Sequence, residues 1–203
     1  MGIPVLVIGA SGSGKSTSMR NFNEGEVGIF NVASKPLPFR KKLPKVDGAT
    51  YSKIIKGLSE PKLKRYVIDD SQYLMAFAMF DRAKETGYTK FTDVALDFRN
   101  LIDFVINKTP ADVIVYFLHH IEVTEDGRIK AKTSGKMLDN QLTVEGLFSI
   151  VLLAQTDGMN YKFITQSDGY TTAKSPMDMF EKEIDNDLKF VDTRIREYWK
   201  LEG

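Results

Sequence analysis

The sequence predicts an α/β fold, with a mainly parallel sheet flanked by helices. Three observations carry this. The apolar runs Ile3–Ile8, Val27–Val32, Tyr66–Ile68 and Val113–Leu118 lack the alternation of half-exposed strands and suit strands buried on both faces. Turn signals and helical patterns separate the runs. Three of the runs lead into chemistry-bearing residues: a Gly-rich turn after Ile8, Asp69-Asp70 after Ile68 and His119-His120 after Leu118.

Taken in order, Ile3–Ile8 is the first strand, and Ser16–Phe22 reads as a helix start. Val27–Val32 is the second strand, followed by a basic, Pro-containing loop over 35–45 and a short helix at Ser52–Leu58. Beyond the third strand, Leu74–Phe80 is apolar almost throughout and predicts a buried helix. Phe91, Val94, Ala95, Phe98, Leu101, Ile102 and Val105 follow i, i+3, i+4, i+7 spacing, one face of a second helix, with Thr89 or Thr92 as its cap. Asp-Gly turns recur at 125–127, 156–158 and 167–169. Each reads as a three-residue hairpin loop with Gly in the left-handed position, which for the first pairs Val123 with Ile129 and Glu122 with Lys130. Leu147–Gln155, Met159–Gln166 and Tyr170–Lys174 then form a meander. From Met177 onward the chain reads as helix, with Ile184, Leu188, Val191 and Ile195 on one face and Arg194, Arg196 and Lys200 toward its end. The organisation is a single domain over 1–203: parallel core to about 120, hairpin and meander over 121–175, C-terminal helix over 176–203.

Composition excludes several chemistries. The 203 residues include no cysteine, which removes disulfides, thiol nucleophiles and thiolate metal sites. Net charge is +1, so any nucleic-acid contact rests on a local patch. No apolar run reaches the ~18 residues of a membrane span, and no signal-peptide pattern opens the chain. The expectation is a cytoplasmic protein with no membrane contact.

Gly9-Ala10-Ser11-Gly12-Ser13-Gly14-Lys15-Ser16 fits G-x-x-x-x-G-K-[ST] between a buried strand and a helix start. Glycines let successive backbone N–H groups face phosphates. Lys15 then reaches the β- and γ-phosphates, Ser16 offers its hydroxyl to Mg2+, and Thr17 meets the α-phosphate. The expected ligands are ATP and Mg2+. In "RYVIDDSQYL" the strand-end Asp69 is assigned to the metal shell and Asp70 to water activation, with helix capping by Asp70 or Ser71 as the plainer role. Val113–Leu118 supplies an additional strand between those of the Gly-rich loop and Asp69, with a histidine as polar sensor. Adjacent strand residues face opposite sides, so one histidine faces the nucleotide; His120 is favoured over His119.

With these residues the chain resembles phage-encoded RecA-like P-loop ATPases, a group that includes single-strand annealing recombination proteins. The resemblance rests on "GASGSGKST", "YVIDDSQYL", "FLHH", "TSGKMLDNQLTVEGLFSIVLLAQ" and "TTAKSPMDMF". It implies a RecA-like core that assembles as a homo-oligomer on single-stranded DNA, in the host cytoplasm, with ATP between subunits. A basic residue from one subunit would complete the next subunit's site. Arg128, Lys130, Lys132, Lys136 and Lys174 are the candidates, led by Lys136 and Lys174. Two departures stand out. RecA proteins end the second core strand with an activating glutamate, whereas this chain reads "VGIFNVASK". The RecA assembly helix has no counterpart before the first strand, so assembly is expected to use the C-terminal half.

Lys35, Arg40, Lys41, Lys42 and Lys45 lie within one acid-free stretch with Phe39 among them. Basic side chains neutralise phosphates and an aromatic stacks on bases, so Arg40, Lys41 and Lys42, with Lys130 and Lys132 of the hairpin, are the candidate DNA contacts. A solvated loop is the plainer alternative for the first group. Two other functions fit the Gly-rich loop: a small-molecule or nucleotide kinase, and a nucleotide-gated binding module with little turnover. The kinase reading wants an Arg-rich lid, and "TEDGRIKAKTSGK" has only Arg128.

Overall fold

The computed structural model describes residues 1–134 and 143–202. Among these, nine strands form β1 (Ile3–Gly9), β2 (Gly28–Asn31), β3 (Lys45–Asp47), β4 (Arg65–Asp69), β5 (Ile114–Val123), β6 (Ile129–Ala131), β7 (Ile150–Thr156), β8 (Tyr161–Ile164) and β9 (Glu183–Asp185). The helices are α1 (Tyr51–Ser59), α2 (Gln72–Asp81), α3 (Thr89–Lys108) and α4 (Leu188–Trp199), with 3-10 turns at Ser16–Asn21 and Val144–Leu147.

Strand order is β3-β2-β4-β5-β1-β7-β8-β9, with β6 on β5. The six strands from β3 to β7 in that order are mutually parallel, and β6, β8 and β9 are antiparallel additions. The sheet is thus mixed and mostly parallel, as the apolar runs predict. Its strands alternate between two cores. Leu6, Ile8, Ile68, Val115 and Phe117 face α1, α2 and α3; Val5, Val7, Val67, Tyr116 and Leu118 face Met19, Phe22 and the Leu188, Val191, Ile195 stripe of α4. Burial on both faces is why these runs carry no polar alternation. No helix among the described residues is long and apolar enough to cross a membrane.

Thr50 caps α1, its hydroxyl accepting from the Lys53 amide at 3.4 Å. The α4 N-terminus is closed by Asp187, whose Oδ1 accepts from the Lys189 and Phe190 amides at 2.8 and 3.3 Å. α4 is also tied to the sheet. Its Asp192 is fully buried, accepts from Arg196 at 2.8 Å and from the Tyr116 hydroxyl at 3.1 Å, and pairs with Arg65.

Several local expectations are corrected. The stretch after the Gly-rich loop is a six-residue 3-10 turn, which ends at Phe22 in extended conformation. α2 buries Gln72, Leu74 and Met75 but exposes Phe77 and Phe80, since it rests on α3 and β5 along one stripe. α3 starts after Tyr88 with no side-chain cap, so neither Thr89 nor Thr92 caps it. The first Asp-Gly hairpin has the expected register, Val123 opposite Ile129 and Glu122 opposite Lys130, with Gly127 at φ +80°. The second pairs Thr156 with Tyr161, a four-residue loop, because Asp157 Oδ1 accepts from both the Met159 and Asn160 amides. After the third, Tyr170–Lys174 makes isolated bridges to Ile129 and Val151; the meander is completed by β9, whose Ile184 pairs with Phe163. Helix therefore starts at Leu188, not near Met177, and Ile184 is a strand residue.

Candidate functional site

The site forms at the carboxyl ends of β1, β4 and β5. β5 lies between β1 and β4, the additional-strand arrangement expected from the sequence. The register sets Gly9, where the loop begins, beside His120. Gly12 and Gly14 adopt φ +80° and +92°, the region side chains disfavour. A Cβ on Gly9 would stand 2.3 Å from Ser13 Oγ, and one on Gly14 2.5 Å from the Tyr161 ring. The glycines are thus required by backbone conformation and by close packing.

Lys15 Nζ donates to the carbonyls of Gly9 and Ala10, both at 2.8 Å. Burial lowers its pKa to about 8 despite the pull of Asp70 and Asp69. Ser16 Oγ donates to Asp69 Oδ1 at 2.8 Å, joining two residues 53 apart in sequence. Burial raises the Asp69 carboxyl above its usual range; the Ser16 hydrogen bond lowers it less, and Asp70 adds to the rise.

Asp69 and Asp70 diverge because Asp70 adopts φ +61°, a left-handed turn that aspartate tolerates better than most residues. Asp70 Oδ2 accepts from Lys35 Nζ at 2.6 Å, and Oδ1 accepts from His120 Nε2 at 3.2 Å. Burial pushes this carboxyl up, but His120 and Lys35 together hold it below its ordinary value. Lys35 in turn is raised: burial opposes, and the Asp70 hydrogen bond wins. The capping alternative does not describe Asp70 or Ser71. The side chain of Asp70 is engaged by Lys35 and His120, while the Ser71 hydroxyl lies 2.9 Å from His119 Nδ1 and 3.1 Å from Leu118 O.

The histidines divide as strand geometry requires. His120 faces the Gly-rich loop with Asp70 and packs edge-on against Tyr73 at 5.4 Å. His119 is fully buried on the opposite face, its Nε2 donating to Lys132 O at 2.8 Å. Burial lowers its pKa to about 4. With Nε2 protonated toward a carbonyl, Nδ1 accepts from Ser71.

A cleft of about 300 Å3 is lined by Ser11, Gly12, Gly14, Lys15, Ser16, Thr17, Asp69, Asp70 and His120. Lys35, Pro36, Pro38 and Tyr161 complete its wall and were not among the sequence-derived site residues. By sequence Lys35 belongs to the basic loop; its signal is its place shortly after β2, where RecA-like proteins carry an acid. Ala10 and Ser13 border a neighbouring cavity of about 540 Å3 on the β7 side of the loop.

The other candidates lie apart from this cleft. Arg40, Lys41 and Lys42 are exposed, and Lys41 Nζ donates to Phe22 O at 2.9 Å. Phe39 packs on the core beside Leu37 instead of standing out as a stacking surface. Lys130 pairs with Glu122 at 2.8 Å and Arg128 with Asp126 at 3.0 Å, both within the hairpin, where Lys132 is exposed. Lys174 bridges Val151 through its backbone, at the edge of β7. Lys136 lies outside the described residues.

The residues fit a magnesium-bound nucleotide. Ser13 Oγ is buried without a partner at the base of the Gly-rich loop. Asp69, a buried carboxylate, has a neutral hydroxyl as its hydrogen-bond partner, and a cation would offset its desolvation. Among the described residues no group of three or more His, Asp or Glu forms a closed metal cage, and Mg2+ bound with phosphates takes only one or two protein carboxylates. No family model matches the chain, and no curated protein is significantly similar to it.

Proposed function

We propose that this protein binds Mg-ATP at the Gly9–Thr17 loop and hydrolyses it as a RecA-like P-loop ATPase. The single observation that carries the reading is the Ser16–Asp69 hydrogen bond at 2.8 Å, which sets a hydroxyl and a carboxylate side by side next to Lys15. Sequence spacing alone does not produce that pairing. The additional strand β5 between β1 and β4 supports it. Loop amides and Lys15 would hold the phosphate chain, and Ser16 and Asp69 would hold Mg2+, which would supply neutralisation of phosphate charge. Asp70 orients the attacking water and takes its proton as the water oxygen bonds to the γ-phosphorus and the bond to the β-phosphate oxygen breaks. His120, bonded to Asp70, reads the presence of the γ-phosphate.

By the resemblance, turnover serves a homo-oligomer on single-stranded DNA in phage recombination or replication. The exposed Arg40, Lys41, Lys42 and Lys132 support a DNA contact, with Lys130 close by on the hairpin. ATP turnover and DNA binding, each measured with and without its counterpart, test this. Turnover stimulated by single-stranded DNA and nucleotide-dependent DNA binding are expected; their absence removes the DNA function.

A nucleotide-gated binding module with little turnover is the second reading. It is favoured by Asp70, both of whose oxygens are engaged, by Lys35 and His120. Tight ATP binding with negligible turnover would establish it.

A further inference from the structure

Lys35 is placed with unusual care for a lysine on a loop. The buried Asn31 at the end of β2 donates from Nδ2 to the Lys35 carbonyl at 2.8 Å and to Asp47 Oδ1 at 2.5 Å. Ser34 takes a left-handed φ of +57°, and its hydroxyl accepts from the Gly48 amide at 2.8 Å. Pro36 follows directly and restricts Lys35 to extended backbone. The backbone is therefore fixed from three sides, while the side chain is 55% exposed and points along the cleft wall. Its ammonium sits 2.6 Å from Asp70 Oδ2 and 5.1 Å from the Tyr73 ring centroid.

The cleft then carries two lysines, Lys15 and Lys35, and two carboxylates, Asp69 and Asp70. Lys15 belongs to the loop that grips the phosphate chain. Lys35 comes from a separate segment, the loop after β2, and shares Asp70 with His120. An ammonium has three donors, and Asp70 takes one. A phosphate arriving between Asp70 and Lys15 meets this cation without any neighbouring subunit.

We propose that Lys35 is a terminal-phosphate contact supplied in cis, which bridges the γ-phosphate and Asp70 and so distinguishes nucleoside triphosphate from diphosphate. This rests on the reading of the cleft as a nucleotide site. It also gives the loop after β2 a role in the absence of an acid there. Lys35 is thus a binding residue.

The test compares Mg2+ complexes of ADP and a non-hydrolysable ATP analogue by calorimetric titration of wild type, Lys35→Met and Lys35→Arg. A charge-assisted hydrogen bond contributes about 1.5–3 kcal/mol, so Lys35→Met is expected to bind the triphosphate at least about tenfold more weakly. Its ADP affinity should stay within about twofold of wild type, and Lys35→Arg should regain most of the loss. Equal weakening toward both nucleotides would show that Lys35 merely props Asp70 and would overturn the inference, as would no weakening at all. Thermal melts of the variants, expected at the wild-type midpoint, separate these outcomes from misfolding. If wild type binds neither nucleotide, the nucleotide reading itself fails and this inference falls with it; if wild type binds both and the variants keep its ratio, only the role of Lys35 fails.

Discussion

The hydroxyl of Ser16 lies 2.8 Å from the carboxylate of Asp69, although 53 residues separate them. The pairing follows from strand order: only β5 separates β1 from β4, and Asp69 at the end of β4 meets Ser16 from the loop after β1. In the proposed reading the two side chains together would hold the cation. Ser16→Ala and Asp69→Asn should each raise the Mg2+ concentration needed for turnover and cut the maximal rate by roughly 100-fold or more, the scale set by losing one preorganised electrostatic contact. Metal-free nucleotide binding should change little. A Mg2+ titration of turnover and of fluorescent-nucleotide binding separates the two effects.

Gly14 tests the geometry of the loop. Its φ of +92° is strained for any other residue, and a Cβ would stand 2.5 Å from the Tyr161 ring. Gly14→Ala should lower nucleotide affinity, through a displaced loop and a displaced β8. Strain of this kind costs about 1–3 kcal/mol, so binding weaker by roughly 5- to 150-fold is expected, read by equilibrium titration. The double variant Gly14→Ala/Tyr161→Ala should recover part of the loss, because it removes the clash but not the strain.

His119 makes stability depend on pH. Its folded-state pKa is lowered from 6.5 to about 4, chiefly by burial; Phe98 packs on it at 5.4 Å, and Ser71 and Lys132 O take its nitrogens. Between those values the unfolded chain binds the proton and the folded chain does not. Folding is therefore penalised as pH falls below 6.5, by on the order of 2–3 kcal/mol at pH 4. Urea titrations from pH 7 to 4 should show wild type losing stability more steeply than His119→Gln. Parallel slopes would contradict the assignment.

The second core depends on Asp192. It is fully buried, bonded to Arg196 and Tyr116 and paired with Arg65, while Arg196 also donates to the carbonyls of Asp112 and Lys64 at 3.1 and 2.9 Å. Removing the carboxylate leaves two guanidinium groups without their counter-charge. Asp192→Ala should cost about 3–5 kcal/mol in chemical denaturation, without a change in which nucleotide binds.

Much of the parallel core is legible in the sequence because two-sided burial writes itself as unbroken apolar runs. The Gly-rich loop is legible because only Gly tolerates the backbone at Gly12 and Gly14. The division of labour between His119 and His120 follows from the two-residue period of a strand. What the sequence does not reveal depends on contacts distant in the chain. Asp69 and Asp70 look equivalent as neighbours; the left-handed turn at Asp70, which sends one to Ser16 and the other to Lys35, is set by how β4 meets α2. Lys35 is hidden among other basic residues, because its partner Asp70 is 35 residues away. The third Asp-Gly turn is correct as local chemistry and wrong as topology: β8 found a better partner in Glu183–Asp185 than in Tyr170–Lys174. Phe39 reads as a nucleic-acid stacker by its basic neighbours, and packs on the core instead.

The most direct measurement is ATP binding and hydrolysis by the purified protein beside Lys15→Ala, whose ammonium is the one cation the Gly-rich loop itself supplies. Wild type should bind Mg-ATP and release phosphate, and Lys15→Ala should lose about 100-fold or more of that activity at an unchanged melting temperature without ligand. Equal binding and turnover by the two proteins, or no nucleotide binding by either, would contradict the assignment of Gly9–Thr17 as the phosphate site.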